Sequence, residues 1–499
     1  MSPNVRRDDE GTSELQEPLL EPPEVEKPSF FSEACDLMKL SGPIFMAMVS
    51  WVGMKTTDSA LLGHAGTHYL SASALSDLWT QSTGVFINGR VLGVFCGNAI
   101  GAGNKELAGI WLQVSLAVMA AIALPVMGLW CLTAPVLTAF GEGSRTSNDA
   151  AYYSYILMLC IPARVAYGQV NQFFTAQRIM RPSVLLSSFG MVLNLLLGLI
   201  LVLGVGIKGW NGFGFHACPI VTTAVEYSQL FLLVVVYILM KKLHAECWPT
   251  QGWAWKHITR DRLSQYLKMY VPAALGIASD FWRVAAIGTV AATLGETEVG
   301  VFNASYRILW MCLTFMGSLA GAVGIKLGLA FGKGDAELAK FTAFVGTVVA
   351  VAVLIVLGFI VYAIPRQLGS IFSTDDEVLD LFVEIRIPLA VMMVVMNLSV
   401  NLERIPMAMG RTKEVLIMGL VGSWVGQVPG VLLCTQLWRK DLVGLYTGVA
   451  AGYGLLVGCY GWLVLRSDWE AEVRKAQERA EVKPTAEPTD TDCQEEEDA

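Results

Sequence analysis

Cys96-Gly-Asn-Ala-Ile-Gly-Ala-Gly-Asn-Lys-Glu-Leu-Ala108 decides how the chain is read, because its framework returns downstream as Gly328-Leu-Ala-Phe-Gly-Lys-Gly-Asp-Ala-Glu-Leu-Ala339. A shift of 231 residues carries Gly97 onto Gly328, Gly101 onto Gly332, Gly103 onto Gly334, Glu106 onto Glu337, Leu107 onto Leu338 and Ala108 onto Ala339. Each copy joins two long apolar segments through Gly-x-Gly-x-x-Glu-Leu-Ala. That pattern reads as a helix ending in glycine, a short turn, and a new helix with an acidic first turn. Gly101, Gly103, Gly332 and Gly334 are accordingly assigned to turns. The frame extends outward: Pro43 meets Pro272 and Gly66 meets Gly295 at an offset of 229, and Arg181 meets Arg411 at 230. The chain is an internal duplication.

Composition supplies the solvent. The 499 residues are 54% hydrophobic and 16% charged, with 48 Gly and 14 Trp, which is too apolar for a soluble protein of this length. The partner of this surface is a lipid bilayer. The net charge of −8 comes largely from two polar ends, Met1 to about Glu33 and Arg466 to Ala499, which lack apolar periodicity and are expected to be disordered. Neither argues for nucleic acid. No cationic, apolar and cleavage-site sequence opens the chain, so the first apolar helix is expected to direct insertion. Of ten Cys, six (Cys96, Cys131, Cys160, Cys312, Cys434, Cys459) sit inside apolar runs and none forms a CxxC pair, so neither disulfides nor zinc is expected. The sequons at Asn303 and Asn397 fall within predicted helices and are not expected to be glycosylated.

Apolar runs of about 20 residues are read as membrane spans. They cover Leu37 to Leu62, Leu70 to Ile100, Leu107 to Leu137, Tyr152 to Phe174, Val184 to Val205 and Ala217 to Met240. After a Trp-rich, basic loop they continue over Met269 to Leu294, Val299 to Ala330, Leu338 to Ile364, Leu381 to Met409, Val415 to Leu437 and Leu442 to Leu465. The fold class is therefore an all-α membrane protein of twelve spans. Its organisation is an amino-terminal tail (1–35), a first lobe (36–240), a linker (241–267), a second lobe (268–465) and an acidic carboxy-terminal tail (466–499). Lys and Arg concentrate in loops after even-numbered spans, from Lys105, Arg178, Arg181 and Lys241 to Lys333, Lys340, Arg411 and Lys413, which places both termini in the cytoplasm. With six spans per repeat the copies run parallel, related by an axis along the membrane normal, and leave a central cleft suited to alternating access.

Charges inside the spans are expensive and therefore suspect. They are Asp58, Asp77, Glu226, Asp280, Glu384 and Glu403, with Lys55, Arg90, Arg164, Arg283, Arg307, Lys326, Arg386 and Arg404. Asp280 lies roughly 17 Å into span 7 at 1.5 Å per residue, close to the midplane. It reads either as a carboxylate that takes a proton or cation from one side and releases it on the other, or as an ion pair with Arg283 one turn away. Asp58, nearer the outer face of span 1, has the same two readings, with Lys55 as the partner. Asp77 in span 2 sits near Asp58 if those spans pack together, and two such carboxylates share a proton. Arg90, Arg164 and Arg307 read as structural counter-ions. Trp282 is a candidate cleft wall for aromatic or cationic substrates. No nucleotide motif, metal cluster or Ser/His/Asp set is visible, so no cofactor is expected and the protein reads as no enzyme.

The chain resembles the multidrug and toxin extrusion family over about Leu37 to Leu465. The resemblance rests on Leu40-Ser-Gly-Pro43, on Thr57-Asp-Ser-Ala-Leu-Leu-Gly-His-Ala-Gly66, most specifically on the segment from Cys96 continued to Gln113, and on Ala176-Gln-Arg-Ile-Met-Arg-Pro182. Ile371-Phe-Ser-Thr-Asp-Asp-Glu-Val378 and Gly410-Arg-Thr-Lys413 add to it. It implies proton- or sodium-driven export of organic, often cationic and aromatic, compounds through a V-shaped central cleft between two six-helix lobes, with the ion gradient as the energy source. It puts Asp280 in place of a family acid in span 7 and Trp282 on a second aromatic of that motif, with Ala285 where a further Glu is common. Asp58 matches a coupling Asp of span 1 and Asn194 an Asn of span 5, while Gly198 replaces an Asp. In span 10 the family acid falls near Met396 or Asn397, neither of which carries a proton. Asp280 is the first expectation for coupling and Asp58 the second, with Asp77 and Asn194 beside them. Trp282, Asn397, Gln172 and Asn171 are the expected substrate-cleft residues. A monomer is expected. Glu17-Pro-Leu-Leu20 resembles a sorting signal of plant-like members, which leaves the plasma and the vacuolar membrane open. Alternatives are a sodium-coupled exporter, a lipid-linked precursor flippase of the same superfamily, and a channel.

Overall fold

The computed structural model describes residues 29–88, 90–373 and 375–481, and its elements are helical. In chain order they are α1 Phe30–Ala65, α2 Thr67–Gly84, α3 Leu92–Gly101, α4 Lys105–Cys131, α5 Thr133–Ala139, α6 Ser144–Met158, α7 Ile161–Ala176, α8 Arg181–Leu201 and α9 Ala217–Leu232. The second half holds α10 Arg260–Ala292, α11 Glu296–Lys333, α12 Ala336–Ala363, α13 Pro365–Ser370, α14 Asp376–Glu384, α15 Arg386–Met409, α16 Thr412–Leu420, α17 Val428–Leu433, α18 Leu442–Leu465 and α19 Trp469–Ala480. Among the described residues, eleven helical segments are long and apolar enough to cross a membrane. The expected twelfth, Tyr152 to Phe174, is helical but divided: α6 ends at Met158 and α7 restarts at Ile161 with Pro162 in its first turn. Proline has no N–H for the preceding helix, so the restart costs little there.

The two glycine turns share one geometry. Gly103 (φ 80°) and Gly334 (φ 84°) adopt the left-handed conformation that glycine enters freely. Directly after them Asn104 Oδ1 accepts from the Leu107 N–H at 3.2 Å, and Asp335 Oδ1 accepts from the Leu338 N–H at 2.8 Å. These equivalent caps satisfy donors that the first turns of α4 and α12 leave open.

Gly101 and Gly332 do something other than turn. Both belong to helices, and α3 crosses α11 there with backbone against backbone. A Cβ on Gly101 would strike the Leu329 carbonyl, and one on Gly332 the Asn98 carbonyl, while Gly97 and Gly328 face each other. The residues that repeat at 231 therefore touch their own copies across the axis relating the lobes. Small residues are what allow helices to meet this closely.

That crossing marks the end at which the lobes join. Leu37 and Leu40 of α1 share a core with Met316, Leu319, Val323 and Leu327 of α11. Lys326 on α11 pairs with Glu33 on α1 at 2.6 Å, and Thr342 donates to the same carboxylate at 2.8 Å. Tyr266, Met269, Tyr270 and Ala274 in the first half of α10 belong to the first lobe's core, whereas Ile287 and Ala291 belong to the second's. Toward the other end the lobes keep separate cores, and the cleft lies between them.

Three expected boundaries are corrected. Helix α1 starts at Phe30, capped by the Ser29 side chain, and Glu33 is a buried counter-ion, so the expected tail ends before residue 30. Helix α10 starts at Arg260, capped by Thr259. The linker before it is held by buried Gln113 of α4, whose Nε2 donates to the Gly252 carbonyl at 3.0 Å and whose Oε1 lies 3.0 Å from His257 Nδ1. The stretch after Arg466 folds as α19, because Val473, Ala476 and Ala480 recur at helical spacing and bury one face. The sorting signal and the acidic Glu495-Glu496-Glu497-Asp498 lie outside the described residues.

Candidate functional site

Asp58 stands near the carboxy-terminal end of α1, buried where α1 packs on α8 and α9. Asn194 Nδ2 of α8 donates to Asp58 Oδ1 at 3.2 Å, and the Thr222 hydroxyl of α9 donates to Oδ2 at 2.9 Å. The three side chains form one buried polar cluster, and Asn194 Oδ1 is left buried without a partner. Gly198, where the family resemblance leads one to expect a carboxylate, packs on Leu61, whose side chain would collide with any added Cβ. Leucine thus occupies the space of the missing acid.

Lys55 makes its direct contact with another carboxylate. Its ammonium pairs with Asp77 of α2 at 3.1 Å, so one of the two carboxylates that were expected to share a proton is held in an ion pair. One further pair completes the wall: Arg164 of α7 meets Glu226 of α9 through two hydrogen bonds, 3.1 and 2.5 Å. It lines a cavity of about 90 Å³ with Trp51, Met54, Tyr167 and Ser187.

Across the cleft, Asp280 of α10 is more than half exposed and lies 3.4 Å from the Arg283 guanidinium. Arg283 is buried, donates to Gln427 Oε1 at 2.8 Å and lies 5.0 Å from the centre of the Tyr453 ring. The ion-pair reading of Asp280 therefore holds geometrically. Trp282 is half exposed on the same helix. Asn171 and Gln172 are half-buried on α7. Asn397 is fully buried and spends its amide N–H on the Met393 carbonyl of its own helix at 2.8 Å, so it lines no open cleft. Its period along α15 turns it onto the core, which polarity alone does not reveal. Arg90 and Arg307 are exposed, and Glu384 pairs with Arg439 at 2.5 Å outside the cleft.

Thr222 and Gln427 were missed by sequence reasoning. Thr222 lies four residues before Glu226, on one helix face with it, and that spacing was the available signal. Gln427 sits at the end of a π-helical stretch, Val421–Gln427, whose register shift aims its side chain at Arg283.

Two helical lobes joined at one end, built from segments long and apolar enough to cross a membrane and carrying paired charges within them, define a multi-pass membrane protein. The MatE family model matches this chain twice, over residues 43–200 and 272–432, once in each lobe. Among curated proteins, Protein DETOXIFICATION 16 of Arabidopsis thaliana is 26% identical over 490 residues, covering 95% of this chain and 96% of that protein. Multidrug and toxin extrusion protein 1 of Danio rerio is 25% identical over 467 residues, covering 92% and 76%. Among solved structures, the eukaryotic MATE transporter AtDTX14 superposes with a TM-score of 0.81 at 19% identity, over 91% of this chain and 100% of that one. The chain belongs to the MatE family, and it is an integral membrane efflux transporter rather than an enzyme.

Proposed function

We propose that this protein is a proton-coupled antiporter that exports small organic compounds, cationic and aromatic ones among them, and that Asp58 carries the proton. The observation behind this reading is the burial of Asp58 between two neutral donors, Asn194 and Thr222, with Lys55 committed elsewhere. A carboxylate so placed has lost its hydration without gaining a direct cation, so taking up a proton relieves the cost of burial. The protonated acid also has an acceptor at hand, since a turn of the Asn194 amide presents its unpartnered Oδ1. A single carboxylate with Leu61 filling the neighbouring space supports a proton over sodium, which needs a fuller shell of oxygens.

This reverses the expected order, in which Asp280 came first. An exposed carboxylate in contact with Arg283 is already neutralised, and the half-exposed Trp282 beside it fits a role in substrate contact. In this reading the glycine-turn end and both termini are cytoplasmic, the protein acts as a monomer in the plasma or vacuolar membrane, and the described conformation opens outward.

The test is ethidium efflux from reconstituted liposomes under an imposed pH or sodium gradient. Efflux driven by the pH gradient, lost in Asp58→Asn and retained in Asp280→Asn, is the expected result. Sodium-driven efflux that persists in Asp58→Asn would remove the proposal.

A further inference from the structure

Helix α19 lies across the end where the lobes meet, and its two halves have different partners. The Trp469 ring stacks on Phe331 of α11, centroids 6.0 Å apart, and Val473 and Ala476 bury into the core of α11 and α12. Arg479 donates to the Met409 carbonyl at the end of α15 at 3.0 Å, closing over Gly410. These contacts bed the helix on the second lobe, to which α18 already ties it. The helix also packs along α3 of the first lobe, as closely as along α11, and its last turn adds a hydrogen bond there: Asn104 Nδ2 donates to the Ala480 carbonyl at 3.0 Å. Gly101, Asn104, Gly332, Lys333, Gln477 and Ala480 line an open hollow of about 550 Å³ over the α3–α11 crossing.

The duplication shows what is particular about this contact. Asn104 and Asp335 are repeat equivalents, and each caps the helix that follows it with a side-chain oxygen. Only the amide has an N–H left after capping. Asn104 uses it on Ala480, and a carboxylate at the same place has nothing to donate.

We propose that α19 is a latch that holds the glycine-turn end of the transporter shut, with the Asn104–Ala480 hydrogen bond as the contact that must break whenever that end opens. Separation of α3 from α11 carries Asn104 away from a helix anchored on the other lobe. The latch therefore biases the equilibrium between the two access states.

Spin labels on Lys241, directly after the last helix of the first lobe, and Lys340 of the second, both exposed, read the opening of this end without any transported substrate, so the outcome is independent of the coupling reaction. Asn104→Asp keeps the cap and removes the donor. The expected result is a gain in the long-distance population of about tenfold relative to the parent, with a similar gain on deleting the chain from Asp468 onward. An unchanged distance distribution in Asn104→Asp overturns the proposal, whether or not the deletion variant folds. A second arm tethers the latch. In a transporting cysteine-replaced background, a disulfide between Asn104→Cys and Ala480→Cys should arrest the cycle until reduced. A disulfide between Arg411→Cys and Ser467→Cys, confined to the second lobe, should not. Full transport with the first tether closed, or equal arrest by both, also overturns it.

Discussion

Lys55 of α1 reaches Asp77 of α2 at 3.1 Å, although Asp58 lies one turn further along its own helix. The choice separates charge from proton site: the cation makes its direct contact with Asp77, and the hydrogen-bond partners of Asp58 are neutral. Asp77→Asn frees Lys55 to turn toward Asp58 and to hold it ionised. Efflux driven by a pH gradient is expected to fall about tenfold, equivalent to roughly 1.4 kcal/mol, while Asp77→Glu restores it. Unaltered pH-driven flux in Asp77→Asn would show that Lys55 does not gate Asp58.

Thr222→Val removes one of the two donors to Asp58 and leaves its volume nearly unchanged. A hydrogen bond to a charged group contributes about 1.5–3 kcal/mol, so the ionised form is expected to lose that much support. The pH at which transport is half-maximal should move upward, and Thr222→Ser should leave it in place. A profile identical to the parent's would remove Thr222 from the site.

The α3–α11 crossing has no room for side chains. Leucine at Gly101 or at Gly332 places its Cβ against a carbonyl of the opposing helix, and overpacking of this kind costs about 1–3 kcal/mol. Because the contact is its own copy, the two substitutions should give equal losses of thermal stability and the same shift toward the state open at this end. A large effect at one position and none at the other would contradict the symmetric contact.

His257 offers a stability test outside the membrane. Burial, followed by the charges of Arg262 and Lys256, holds its imidazole below the ordinary histidine value. A depressed folded-state value means that the unfolded chain takes the proton more readily. The linker's contribution is therefore full above about pH 6.5 and is lost as pH falls through the lower, folded value. Thermal unfolding of the purified protein is expected to show a lower midpoint at pH 5 than at pH 7.5, and His257→Gln should narrow that difference. An equal difference in the variant would assign the pH dependence elsewhere.

The sequence by itself determined the class and the duplication. Hydrophobic length imposes membrane spans on any chain that carries it, and the recurrence of Gly-x-Gly-x-x-Glu-Leu-Ala at 231 residues marks equivalent turns without reference to contacts. Asp58 was legible as a candidate because a charge in hydrocarbon needs a reason, and Asn194 because it matches a residue of the family the chain resembles. Only the tertiary structure decided which charge meets which. Lys55 has carboxylates on two helices within reach, and helix packing selects Asp77; Asp280 and Asp58 look alike in sequence, yet one is exposed beside Arg283 and the other buried with Thr222. The same holds for Gly101, a turn residue in sequence and a crossing point in space, and for α19, whose polar composition read as disorder until neighbouring helices supplied its partner surface. Spacing along a chain fixes which residues share a face, whereas ion pairing and close approach depend on the helix that arrives from far away in sequence.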